Sequence, residues 1–146
     1  MDEDVAILAF ARLDDGRMLV LRHLPDRGTI EVGFWGKDAG AIVLQPPALE
    51  IAAEAVELDA LGSLCGRALS DTGAEVAAGP FADGARLVAL RSGDGVTLAR
   101  PPEPDNRLTL SRAALRALAD LLPAARARAE HLGFGLVQQE EGGSSW

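Results

Sequence analysis

Asp14-Asp15-Gly16-Arg17-Met18-Leu19-Val20-Leu21-Arg22 is the stretch from which the fold is read. It recurs mid-chain as Asp83-Gly84-Ala85-Arg86-Leu87-Val88-Ala89-Leu90-Arg91. Both copies open on an Asp-Gly turn, where glycine supplies positive φ at little cost, and run into an apolar, strand-forming segment. The second copy reads as the first with one residue inserted, so that Arg22 and Arg91 close the two strands. Turn chemistry and alternation account for every other residue of the motif. Those two arginines keep a claim on function if they emerge on one face of a sheet.

Working outward, Val5 to Leu13 reads as a strand entering the first turn and Arg17 to Leu24 as the strand leaving it. Pro25-Asp26-Arg27-Gly28 suits a tight reversal. Ile30, Val32 and Phe34 then alternate with Thr29, Glu31 and Gly33, a period of two with one apolar face. Gly36 to Gly40 reads as a turn and Ala41 to Leu44 as a fourth strand, which Pro46-Pro47 ends. Val56-Glu57-Leu58 reads as a short alternating strand delivering Asp59 as the N-cap of a helix carrying Leu61, Leu64, Cys65, Ala68 and Leu69. Gly62 and Gly66 weaken that helix by about 1 kcal/mol each. Spaced four apart, they would also let another backbone approach.

The second unit repeats the plan. Glu75 to Ala78, Ala85 to Arg91 and Val96 to Arg100 are its strands, followed by a proline-rich loop, Pro101 to Asn106. Leu108-Thr109-Leu110-Ser111 is the match to Val56-Glu57-Leu58-Asp59, and Ser111 caps a helix with Leu115, Leu118, Leu121 and Leu122 on its buried stripe. Pro123 kinks that helix or starts another through His131. Gly133 closes it, and 134–137 is a last apolar stretch. The expected fold is α+β, with two related units of antiparallel meander and helix sharing one core. Residues 1–137 form one compact domain of two sub-units, 1–73 and 74–137, and 138–146 form a polar tail.

Composition narrows the function classes. The 146 residues are 48% hydrophobic and 25% charged, ordinary for a globular protein. Abundant Ala and Arg with Lys37 as sole lysine read as a GC-rich bacterial coding sequence. Cys65 stands alone, so no internal disulfide can form. With an acidic N-terminus where a signal peptide would be basic, a cytoplasmic location is expected. No apolar run approaches the roughly 18–20 residues of a membrane span. A net charge of −8 repels phosphate backbones and anionic membranes. Residues 1–73 hold six basic and thirteen acidic side chains, whereas Arg86 to Arg128 includes eight arginines against four acids.

Signatures of chemistry are missing. His23 and His131 lack metal-ligand spacing, Cys65 sits on the apolar stripe of a helix, and no phosphate-binding glycine loop or GxSxG elbow occurs. Asp14, Asp15 and Asp26 are explained by their turns. A non-enzyme with no metal and no cofactor is expected. Phe34-Trp35-Gly36-Lys37 ends a strand with Trp35 on the face opposite Phe34. There Trp35 packs under a second layer, lies in a dimer interface, or forms a stacking platform flanked by Arg17, Arg22 and Lys37. Arg112, Arg116, Arg126 and Arg128 read as a solvated helix face. The candidate binding residues are Arg17, Arg22, Phe34, Trp35, Lys37, Arg86, Arg91, Arg112 and Arg116.

Arg107-Leu108-Thr109-Leu110-Ser111 followed by Leu115 and Leu118 resembles a strand-to-helix junction of a known group. It is the group of single-stranded-DNA-binding transcriptional coactivators and Whirly proteins. Ile30-Glu31-Val32-Gly33-Phe34-Trp35 is similar to that group's aromatic-ended strand. The resemblance implies curved sheets followed by helices, units paired as dimers or tandem copies, and single-stranded nucleic acid as a ligand. The group's lysine-rich strands have no counterpart here. Protein interaction or self-assembly, as a homodimer or with another protein, therefore ranks first and nucleic acid binding second.

Overall fold

The structure is a computed structural model and describes residues 5–70 and 75–131. Gly133, the stretch 134–137 and the tail 138–146 lie outside the described residues.

The chain forms β1 (Ala6–Arg12), β2 (Met18–Leu24), β3 (Thr29–Asp38), β4 (Ala41–Ala52) and α1 (Ala55–Ser70). It then repeats the order with β5 (Glu75–Ala78), β6 (Leu87–Ser92), β7 (Gly95–Ala99), β8 (Arg107–Leu110) and α2 (Arg112–His131). Each unit is a four-stranded antiparallel meander in sequence order, followed by its helix. The α+β fold of two like units is the one the repeat predicts.

The repeated turns match in detail. Asp15 accepts from the Arg17 amide and Asp83 from the Ala85 amide, each at 3.0 Å. Leu13 and Phe81 donate to the carbonyls of Arg17 and Ala85, both at 2.8 Å. Gly16 and Gly84 take φ of +91° and +86°. No residue is inserted. Leu19, Val20 and Leu21 stand where Leu87, Val88 and Ala89 do, all buried. Arg22 therefore corresponds to Leu90, and Arg91 falls in the place of His23 on the opposite face of its strand from Leu90.

Inner faces of both sheets are apolar rows, such as Ala9–Leu21–Val32–Leu49 and Val76–Ala89–Leu98–Leu108. One apolar cluster joins them with Leu58, Leu61 and Leu64 of α1 and Leu115, Leu118 and Leu122 of α2. Burying each leucine contributes roughly 1.5–3 kcal/mol, against about 0–1 kcal/mol for an exposed ion pair, so these rows decide the arrangement. The helices are exchanged: α1 packs on β5 and β6 of the second sheet, α2 on β1 and β2 of the first, and the two helices on each other.

Four local expectations are corrected. β4 does not end at Leu44. Val32 pairs with Leu49 and Phe34 with Gln45, so Pro46, Pro47 and Ala48 bulge over Gly33 where the ladder needs no amide from them. Val56-Glu57-Leu58 is the first turn of α1, and Asp59 lies inside the helix. The counterpart of Leu108-Thr109-Leu110 is Leu49-Glu50-Ile51, paired to β3 as the former is to β7. Gly36 to Asp38 belongs to β3, leaving Ala39-Gly40 as the turn. Pro123 does not start a second helix but lies inside α2, which is one helix capped as expected by Ser111 Oγ accepting from the Ala114 amide at 3.1 Å.

Gly62 and Gly66 admit no close backbone. A Cβ at Gly62 would meet only Leu122 Cδ1 at 3.8 Å, and one at Gly66 nothing within 4 Å.

Polar joints tie the units together. Asn106 accepts from the Glu50 amide at 2.7 Å and donates to its carbonyl at 2.8 Å, taking the place of a strand residue beside β4. Arg100 donates to both oxygens of buried Glu57 and to Asp83. Those hydrogen bonds, Glu57 first, keep the guanidinium charged by raising its pKa.

Candidate functional site

Every β-sheet has two faces, and what lies on the faces turned away from the helices distinguishes the two units. On the second sheet the outward rows are Glu75–Leu90–Thr97–Thr109 and Ala77–Val88–Ala99–Arg107. They mix polar Glu75, Thr97, Thr109 and Arg107 with Val88, two alanines and Leu90, which is 38% exposed, and the Thr97 and Thr109 hydroxyls are 2.8 Å apart.

The first sheet is built differently. Its outward rows are Ile7–Arg22–Glu31–Glu50 and Arg12–Met18–Trp35–Leu44, with Phe10, Val20 and Gly33 between them. Phe10 reaches this face because β1 bulges between Ile7 and Ala9 and turns Leu8 into the core. Phe10 is 59% exposed and Ile7 53%.

At the centre, Arg22 Nε donates to Glu31 Oε1 at 2.7 Å while its guanidinium carbon lies 4.8 Å from the centroid of the Trp35 ring. Glu31, Gly33 and Trp35 follow one another on the same face of β3, so Arg22 spans the strand over Gly33 and Val20. That coverage explains why Val20 and Glu31 are buried on an outward face. Gly33 is closely enclosed: a Cβ there would press on Leu44 Cδ1 at 2.9 Å and Ala48 Cβ at 3.1 Å, so one of them must shift to admit it. Trp35 is half-buried and its Nε1 is covered without an acceptor. A desolvated donor of this kind costs about 1–3 kcal/mol.

Beyond this face the sheet narrows to an arm. β2 begins at Met18, opposite Trp35, so Gly36 to Asp38 pair only with Ala41 to Val43. The arm carries Lys37 opposite Ile42, which is 55% exposed.

Of the nine residues singled out in the sequence, Arg22, Trp35 and Lys37 share this face and arm. Phe34 is buried on the inner face, with Arg17 stacked on its ring at 4.0 Å and held by Asp15 through Nε at 2.9 Å. Arg17 stands beside the N-terminus of α2, on the other side of the sheet from Trp35. Arg86, just before β6, and Arg91, on β6, are exposed, and Arg91 does not share a face with Arg22. On α2, Arg112 donates to the Leu69 carbonyl at 2.8 Å and Arg116 is exposed.

The eight arginines of the second half do not form one free basic face. Arg100 is committed to Glu57 and Asp83, Arg126 to Asp59 and Glu130, and Arg128 donates to the Ile7 carbonyl at 3.2 Å. The sequence reading missed Ile7, Phe10, Met18, Glu31, Ile42 and Leu44 as companions of Trp35. Alternation from Trp35 pointed to Glu31. The bulge at Leu8 and the length of the arm left no local signal.

Cys65 is fully buried, and burial pushes its thiol up to about 12, the opposite of an activated nucleophile. Among the described residues, no three His, Cys, Asp or Glu side chains are grouped to hold a metal ion. No described helix is long and apolar enough to cross a membrane. Compared with known proteins, the chain matches no family model, no curated sequence and no solved structure.

Proposed function

We propose that this is a non-catalytic binding protein of a bacterial cytoplasm that engages protein through the outward face of the first sheet. One observation carries the reading. Of two faces built on the same plan, only this one bears aromatic side chains, Phe10 and Trp35, with Ile7, Met18 and Leu44 around them, and its central arginine is already neutralised by Glu31. Apolar, aromatic-rich and internally charge-balanced surfaces suit the core of a protein–protein contact.

A second reading is single-stranded nucleic acid binding of the coactivator and Whirly type. Its support is Trp35 with Arg22 on an open sheet face and the tandem sheet–helix plan. Against it, Arg22 covers one side of the Trp35 ring and spends its charge on Glu31, leaving little for a base or a phosphate.

A photoreactive phenylalanine analogue placed at Phe10 should cross-link to protein in whole cells, while the same analogue at Thr97 should not. Purified protein should show no oligonucleotide affinity at low salt. Oligonucleotide binding that weakens with salt and vanishes in Trp35→Ala would replace the first reading with the second.

A further inference from the structure

The docking face described above is the premise for naming its occupant. We infer that the occupant is a second copy of this chain, related by a two-fold axis, with the β3–β4 arm of each copy lying on the first sheet of the other.

The arm is the first argument. A two-stranded ribbon is marginally stable in water on its own. This one projects past β2 with Ile42 more than half exposed. It continues the face that carries Trp35 and Leu44, so a body lying on that face meets the arm as well.

Charge is the second argument. Two chains of net charge −8 repel each other over most of their surface. An isologous contact brings a patch against itself, so only a patch with balanced charge tolerates it. Here Arg22 is matched to Glu31 and Glu50 is held by Arg27 at 2.9 Å, so these four charges cancel in pairs, leaving Arg12 at the end of the edge strand and Lys37 on the arm.

Sheet edges offer poor alternatives. Arg128 occupies the Ile7 carbonyl on β1, Arg67 the Ala77 carbonyl on β5, and Asn106 both backbone groups of Glu50 on β4. Such capping discourages strand addition. At those points the edges are occupied, which favours contact through faces.

Area is sufficient. With β1 and β2 seven residues long, four strands at ~4.8 Å spacing and ~3.3 Å per residue present roughly 450 Å². The two sides of the arm add roughly 200 Å² by the same spacings. Two copies then bury about 1,300 Å², at the lower end of specific interfaces. The dimer should form and dissociate with concentration.

Sedimentation velocity on the full chain, from low micromolar to several hundred micromolar, tests this. Expected is a monomer–dimer equilibrium whose dissociation constant rises at least tenfold in Phe10→Asp and, separately, in Ile42→Asp. Thr97→Asp, adding the same charge to the other sheet, should leave it unchanged. Circular dichroism and thermal melting verify that the exposed-site variants fold. Monomer at every concentration overturns the inference, as does a dimer indifferent to both variants. If the chain stays monomeric while the analogue at Phe10 cross-links to a different protein, the docking face stands and its assignment to a second copy falls.

Discussion

Arg100, following β7 of the second unit, grips Glu57 in the first turn of α1 with hydrogen bonds of 2.9 and 2.6 Å, and Glu57 is 2% exposed. Removing Arg100 strands the Glu57 carboxylate in the interior, and removing Glu57 leaves the largely buried Arg100 with only the exposed Asp83. Arg100→Leu and Glu57→Leu should each cost about 3–5 kcal/mol, while the double variant should lie much nearer the parent. Urea denaturation of the four proteins decides it. Strictly additive losses would contradict the coupling.

Gly95 and Gly66 should respond to alanine in opposite directions. A Cβ at Gly95 would lie 2.2 Å from the Leu110 carbonyl oxygen, and backbone must move to relieve it. Gly95→Ala is expected to lose several kcal/mol, as severe overpacking does. Gly66 lies in α1 facing open space, so Gly66→Ala should gain about 1 kcal/mol from helix propensity. Thermal melting reads both, and a stabilised Gly95→Ala or a destabilised Gly66→Ala would refute the packing described.

The arm turns through Ala39 and Gly40 at φ of +54° and +87°. Two positive φ values in a two-residue hairpin loop favour asparagine or glycine over alanine at the first position. Ala39→Asn should stabilise the protein by about 0.5–1 kcal/mol, because a left-handed alanine is strained by about 1–2 kcal/mol. Amide hydrogen exchange in the arm should slow correspondingly. Unchanged or faster exchange would count against the turn.

His23 is buried on the inner face beside Ile30, and desolvation holds its imidazole below the ordinary value of 6.5. The unfolded chain takes up this proton near pH 6.5 and the folded chain only at lower pH. Stability from neutral His23 is therefore complete above pH 6.5 and declines as pH falls below it. The denaturation midpoint should drop between pH 7.5 and 5.5, and less so in His23→Gln. An equal drop in the variant would assign the effect elsewhere.

How much of this was legible in the sequence follows from where each signal resides. Asp15-Gly16 and Asp83-Gly84 announce their turns locally, and the alternation of Ile30, Val32 and Phe34 announces its sheet face, so both meanders and the α+β class could be read. Ser111 declares the start of α2 in the same way. β4 could not be followed past Pro46-Pro47, because prolines end a strand only if the ladder needs their amides, and the bulge over Gly33 removes that need. Glu57 looked like a strand residue because its partner Arg100 lies 43 residues away. The site was half legible. Trp35, Arg22 and Lys37 were found by alternation and residue type, whereas Phe10 and Ile42 join them through a bulge and an overhang visible only in three dimensions.

The exchanged helices have one further consequence. Because α1 covers the second sheet and α2 the first, neither half of the chain contains the lid for its own apolar surface. Severing the backbone between the units would leave two fragments that each need the other to hide their leucines. The halves should therefore be inert apart and reconstitute the native protein when mixed, a split pair held together by its own interior.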